Sequence, residues 1–106
     1  MELPKDLKLK PNALIAVDLD GTLSEGECWG AEDPKPKQDM IDFINSLYIK
    51  GYHIIIYTAR FRDFFQLTEA WLIKHRVRYH ALCMNKMGAD LYIDDKCINI
   101  KDLLKE

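Results

Sequence analysis

The feature that most constrains this chain is an apolar run, Ala13-Leu14-Ile15-Ala16-Val17, that passes straight into Asp18-Leu19-Asp20-Gly21-Thr22-Leu23. A short apolar run closed by a Gly-Thr turn predicts a strand buried on both faces, the kind found in parallel sheets flanked by helices. Ligands of such sheets bind beyond the carboxyl ends of the strands, which is where Asp18 and Asp20 fall. Packing alone does not account for two acids there, because a buried carboxylate is strongly disfavoured unless it is paired or bound to a metal. An Asx-turn at Asp20-Gly21-Thr22 is the plain alternative for an isolated D-x-D-G.

Three more apolar runs end in polar groups, in order along the chain. Ile54-Ile55-Ile56-Tyr57 leads into Thr58-Ala59-Arg60, the run at 79–84 is followed by Lys86, and Leu91-Tyr92-Ile93 leads into Asp94-Asp95-Lys96. The repetition predicts strands at about 53–57, 79–83 and 91–94, with all their polar ends on one edge of one sheet. Between them, Met40, Ile41, Ile44, Leu47 and Tyr48 follow a helical stripe that Gly51 should stop. A second helix is expected from about Asp63, where Asp63 and Gln66 have capping-box spacing, burying Phe64, Leu67, Trp71 and His75. For 98–104 a short fifth strand and a terminal helix both fit. Strand–helix alternation with short links implies parallel strands. The predicted fold is α/β, a three-layer α/β/α Rossmann-like sandwich with a mainly parallel sheet.

At 106 residues the chain has room for one core, and residues 1–106 read as a single domain. Its 15 basic and 17 acidic residues leave a net charge of −2, so no basic stripe argues for nucleic acid. Cys28, Cys83 and Cys97 contain no C-x-x-C, and His53, His75 and His80 have no ligand spacing, so neither zinc nor a disulfide framework is indicated. With no apolar run of spanning length or signal-peptide pattern, a cytoplasmic protein without membrane contact is expected.

Taken together, DLDGTL at 18–23, Thr58 of YTAR, Lys86, and Asp94-Asp95 of YIDD resemble the four ordered motifs of the haloacid dehalogenase (HAD) superfamily, in its phosphatase branch that forms an aspartyl-phosphate. The resemblance implies that Asp18 is the nucleophile, since a carboxylate can accept a phosphoryl group that water later removes. Asp20 would be general acid and base, and Leu19 would point to the opposite face so that both acids project together. Thr58 and Lys86 would bind and neutralise the transferring phosphoryl group. Carboxylates facing a phosphate repel it, which calls for Mg²⁺. Asp18, the Asp20 carbonyl oxygen and Asp94 would hold it, with Asp95 ligating directly or through water. Beside the resemblance, Arg60 and, with less weight, Arg62 suit bidentate recognition of a second anionic feature of the substrate, and pairing with surface acids is the alternative for both.

Superfamily members often carry a cap domain after the first motif or between the second and third. Here the first position holds only the 24–38 loop, with Glu25, Cys28 and Trp29 as a flap or as an anchor on the core. The chain therefore resembles the small capless members, and its TAR and IDDK strings are similar to bacterial phosphatases of capsule or surface polysaccharide biosynthesis. A phosphorylated small molecule is the expected substrate, with a homo-oligomer covering the open site as a further expectation. A polynucleotide or nucleotide phosphatase is the rival substrate class. A receiver-like signalling or binding domain is the rival of another class, set against the lack of an Asp ending strand two or three. A true dehalogenase would need neither the metal cluster nor Asp20.

Overall fold

The computed structural model describes residues 1–26 and 33–104. Its elements are β1 (Leu14–Val17), α1 (Gln38–Ile49), β2 (His53–Tyr57), a 3₁₀ turn (Arg62–Phe64), α2 (Phe65–Lys74), β3 (Ala81–Cys83) and α3 (Ile100–Leu103). The strands form one parallel sheet in the order β1-β2-β3. In register, Val17 lies opposite Ile56 and Tyr57 opposite Cys83. The three strands thus finish almost level, and Asp18, Thr58 and the residues after Cys83 leave from the same edge. This is a Rossmann-like α/β fold.

Helix α1 buries Met40, Ile41, Phe43, Ile44 and Leu47. Each such side chain contributes about 1.5–3 kcal/mol when fully buried. A side-chain N-cap is worth about 1 kcal/mol, and Lys37 makes none, so the apolar face holds this helix. At its end Gly51 takes φ +104°. The Gly51 and Tyr52 amides donate to Tyr48 and Leu47 carbonyls at 3.0 and 3.2 Å, the Schellman pattern expected of that glycine. α2 closes the same way without a glycine: Arg76 stands at φ +57°, and the Arg76 and Val77 amides donate to Ile73 and Leu72.

Four expectations are corrected. β1 is an edge strand paired only with β2 among the described residues, so Leu14 is 69% exposed and Ala16 is exposed, while Val17 enters the core. The second helix begins on the 3₁₀ turn rather than at an Asp63 cap, since that turn already starts at Arg62. Its buried side chains are Thr68, Trp71 and Leu72, and Leu67 faces outward. No strand forms at 91–94, because a strand needs a neighbouring edge and this segment pairs with none among the described residues; Leu91 and Ile93 are 75% and 95% exposed. Residues 98–104 resolve in favour of helix: the Asn99 side chain caps α3 by accepting the Lys101 amide at 2.9 Å.

The core gathers Val17, Leu19 and Leu23 around the first strand end, α1's apolar face, Ile54 and Ile56 of β2, and Trp71, Leu72 and Val77. Trp71 also donates its indole N–H to the Pro34 carbonyl at 2.9 Å, tying the end of the loop after the first motif to α2. Glu25 N–H donates to Lys35 O, and Lys37 N–H to Leu23 O, so the described ends of that loop close on each other. Cys28 and Trp29, read as part of a flap, lie outside the described residues. No helix among the described residues is long and apolar enough to cross a membrane.

Candidate functional site

Asp18 is the first residue past β1. Its Oδ1 accepts the Leu19 amide at 2.8 Å, which orients the carboxylate. Partial burial pushes the Asp18 carboxyl above its ordinary range, opposed by the Lys86 charge and the Leu19 amide and assisted by Asp20. Leu19 is fully buried, so the two acids stand away from the core while the residue between them is locked in it. The chain then turns sharply. The Leu19 carbonyl accepts amides from Thr22, Leu23 and Ser24 at 3.1, 2.8 and 3.2 Å, and Gly21 takes φ +85°. The Lys37 ammonium donates to the Gly21 carbonyl at 2.9 Å, pinning the turn to the start of α1.

Thr58 is fully buried at the end of β2. Its amide donates to Cys83 O at 2.9 Å, and its Oγ1 accepts the Arg60 amide at 3.2 Å. Beyond β3, Asn85 N–H donates to Arg60 O and Lys86 N–H to Thr58 O, both at 2.8 Å. These bonds prolong the β2–β3 pairing past the strand ends and deliver Lys86 to the Asp18 side of the sheet edge. Asn85 sits at φ +64°, a region that Asn tolerates better than most residues, and its Oδ1 accepts the Arg62 amide. The Lys86 ammonium lies over the rings of Tyr57 and Tyr92, 5.5 and 4.8 Å from their centroids. Two aromatic faces thereby confine a cation that would otherwise wander on its four-carbon stem.

The chief surprise is Arg60. It is 2% exposed, and its Nε and Nη2 donate to Asp20 Oδ2 and Oδ1 at 2.9 and 2.8 Å. Nη1 donates to Thr68 Oγ1 at 2.9 Å. Of the two readings of Arg60, the structure shows pairing with an acid, and that acid is Asp20 at the sheet edge. Arg62 is exposed on the 3₁₀ turn.

Asp94 and Asp95 are exposed and lie off the sheet. The Lys96 amide, foremost, and the Asp95 side chain hold the Asp94 carboxyl below its ordinary range. The structure thus brings Asp18, Asp20, Thr58, Arg60 and Lys86 to one sheet edge and leaves Asp94 and Asp95 in a separate exposed turn. Among the described residues no three Asp, Glu, His or Cys side chains converge as a metal shell. Asp94 and Asp95 face solvent, so the carboxylates expected to hold Mg²⁺ are not gathered into one shell among the described residues, while the Asp20 carbonyl expected beside them is separate from the carboxylate that Arg60 engages.

Sequence reasoning passed over Thr68, Asn85, Tyr57 and Tyr92. Thr68 left one trace, a polar side chain on the same helical face as Trp71 and Leu72. Asn85 left another, an Asn immediately before Lys86 where the chain must turn.

Residues 15–106 match the model of a family described as PITM 1-3, LNS2 domain. No curated protein matches the sequence. Among solved structures, an MCSG target from Vibrio cholerae superposes with a TM-score of 0.73 at 25% identity over 89% of each chain. A chain from the structure of a Pnkp1/Rnl/Hen1 complex superposes with a TM-score of 0.60 at 25% identity, over all of this chain and 37% of that one.

Proposed function

This chain belongs to the family of the PITM 1-3 LNS2 domain, which has a HAD-like phosphatase fold, and on that premise we propose that it hydrolyses phosphoric monoesters through Asp18. What supports the reading is Asp18 itself, a half-buried carboxylate at a strand end with one oxygen oriented by the Leu19 amide and a caged lysine beside it. In the proposed reaction an Asp18 oxygen attacks phosphorus and the bond to the leaving oxygen breaks. That oxygen takes a proton from Asp20, leaving an aspartyl-phosphate. Water then attacks phosphorus, gives its proton to Asp20, and inorganic phosphate departs as the Asp18–phosphorus bond breaks. In the proposed reaction Lys86 offsets negative charge on the transferring group, and the Thr58 hydroxyl, buried at the strand end with its oxygen accepting the Arg60 amide, gives its own hydrogen to one oxygen of that group. Mg²⁺, the usual cation of this fold family, belongs to the proposal with Asp18, the Asp20 carbonyl, Asp94 and Asp95 as its ligands. No step here is routed through it, because Asp18, Asp94 and Asp95 do not converge as a metal shell among the described residues.

For substrate we propose a phosphorylated small molecule such as a sugar phosphate. A phosphorylated polynucleotide end or nucleotide is the second reading. The test is a panel of p-nitrophenyl phosphate, sugar phosphates, nucleotides and 3′-phosphorylated oligonucleotides, assayed with Mg²⁺ and with excess EDTA. Wild type should turn over at least one of them in Mg²⁺ and none in EDTA, and Asp18→Asn should be inactive. Folded wild-type protein that is inert on the whole panel would end the hydrolase reading. A stable phosphoryl group left on Asp18 would then favour a phospho-accepting signalling domain.

A further inference from the structure

A buried arginine is costly unless its charge and donors are matched, since removing an ion from water costs several kcal/mol before pairing. Arg60 is matched in a particular way. Nε and Nη2 form a two-point fork on Asp20, 40 residues earlier in the chain, and Nη1 reaches the fully buried Thr68 hydroxyl on α2. The Arg60 backbone is held as well, through its amide to Thr58 Oγ1 and its carbonyl to the Asn85 amide. The Asp20 carboxylate itself stands in the turn before Gly21, and no other side-chain hydrogen bond to it is seen among the described residues.

A planar guanidinium fixes both the position and the plane of a carboxylate, which a lysine, a point charge on a flexible stem, does not do. We propose that Arg60 is the positioning residue for Asp20, that Thr68 sets the direction of the Arg60 fork, and that neither residue recognises substrate. This rests on the hydrolase reading, in which Asp20 carries protons. An ionised carboxylate offers about four lone-pair sites. The two taken by the fork leave others to receive a proton from water, now in a fixed direction. Arg60 thereby couples the turn after β1, the end of β2 and α2. Specificity for an anionic substrate must then come from other side chains.

The test measures p-nitrophenyl phosphate hydrolysis by wild type, Asp20→Asn, Arg60→Gln, Arg60→Lys, Thr68→Val and the Arg60→Gln/Asp20→Asn double variant. Misplacement of a catalytic group by about 1 Å can cost about 100-fold, so Arg60→Gln should lower kcat by about 10- to 100-fold while KM stays within about twofold. Arg60→Lys should recover only part of that loss. Thr68→Val, which keeps the shape and removes one hydrogen bond, should lower kcat in the same direction by less. The double variant should be no slower than Asp20→Asn, because Arg60 acts only through Asp20. A large rise in KM at unchanged kcat, or losses that multiply in the double variant, would overturn the proposal in favour of substrate contact. A loss in Arg60→Gln that only tracks the unfolded fraction would overturn it in favour of a purely structural pair. If wild type is inert, the hydrolase reading fails, and crystal structures of Arg60→Gln and Thr68→Val decide positioning alone. A displaced Asp20 carboxylate supports the proposal, and an unmoved one refutes it whatever the kinetics.

Discussion

Leu19 is the residue through which the core sets the direction of the two acids, so Leu19→Ala tests the link between fold and site. Its side chain is fully buried, while its neighbours Asp18 and Asp20 stand at the sheet edge. Truncation removes apolar contact worth about 1.5–3 kcal/mol on transfer alone. A residual cavity adds to that, and Leu→Ala changes in well-packed cores cost about 2–5 kcal/mol in total. The Leu19 carbonyl bonds to Thr22, Leu23 and Ser24 involve no side-chain atom, so they do not enter the sum. We therefore expect a loss of about 3 kcal/mol, a large part of the roughly 5–15 kcal/mol that stabilises a domain of this kind. At about 4 °C or more per kcal/mol, Tm should fall by about 12 °C or more.

The assay is urea unfolding followed by far-UV circular dichroism, with a thermal scan alongside. Ile73→Ala is the control: Ile73 is 67% exposed on α2 and should cost no more than about 0.5 kcal/mol. A Leu19→Ala loss below about 1 kcal/mol at an unchanged m-value would refute the reasoning, because Leu19 would not then be an anchor in a packed core. Leu19→Met, which nearly conserves volume, should recover most of the stability, at a cost below about 1.5 kcal/mol.

Asp18 has its carboxyl raised above the ordinary value of 3.8, chiefly by burial, so the native state binds protons more tightly than the unfolded chain there. Stability should fall as pH rises from about that ordinary value through the raised one, and the penalty is complete above it. Asp18→Asn removes the penalty, so the variant should be more stable than wild type at pH 7 and nearly equal to it below the ordinary carboxylate range; urea midpoints across that pH span check this, and a less stable variant at pH 7 contradicts it. The two helix ends give a paired test. Gly51→Ala forces a Cβ into φ +104° and to 3.2 Å from Asn12 Oδ1, and should cost about 1–2 kcal/mol. Arg76→Gly relieves a non-glycine residue at φ +57° and should stabilise by up to about 1 kcal/mol, so the opposite order of midpoints would remove the Schellman account of both ends.

Features carried by local patterns were readable before any coordinates. The α1 stripe from Met40 to Leu47 with its Gly51 stop, the β-branched run of β2, and the acids just past β1 each need only a few consecutive residues to declare themselves. The α2 face was misread for a physical reason. A hydrophobic pattern favours Leu67 over Thr68, whereas a buried hydroxyl is stable where a guanidinium donates to it, and that guanidinium comes from Arg60. The run at 91–93 was read as a strand because its composition suits one. Strand formation, however, depends on an available edge, which composition does not encode. Burial of β1 on both faces failed for the same reason, since its second neighbour was assumed.

The role of Arg60 was illegible because it is decided by two partners distant in sequence, Asp20 and Thr68, that no local spacing connects. Its consequence for the site is electrostatic. Asp18 is faced by Lys86 and Asp20 is bound by Arg60, so each of these two cations already faces a carboxyl group of its own chain. Had Arg60 pointed to the substrate, its fork of donors would have met an incoming phosphate dianion directly. Engaged by Asp20, those donors are taken, and Lys86 is the cation of these four groups that stands beside Asp18. The proposed Mg²⁺ requirement rests on this shortage of available cationic donors as much as on family likeness. It also gives the EDTA arm of the assay a physical meaning: full activity in excess chelator would require another source of positive charge at the sheet edge, with Arg62 on the neighbouring 3₁₀ turn the first side chain to examine.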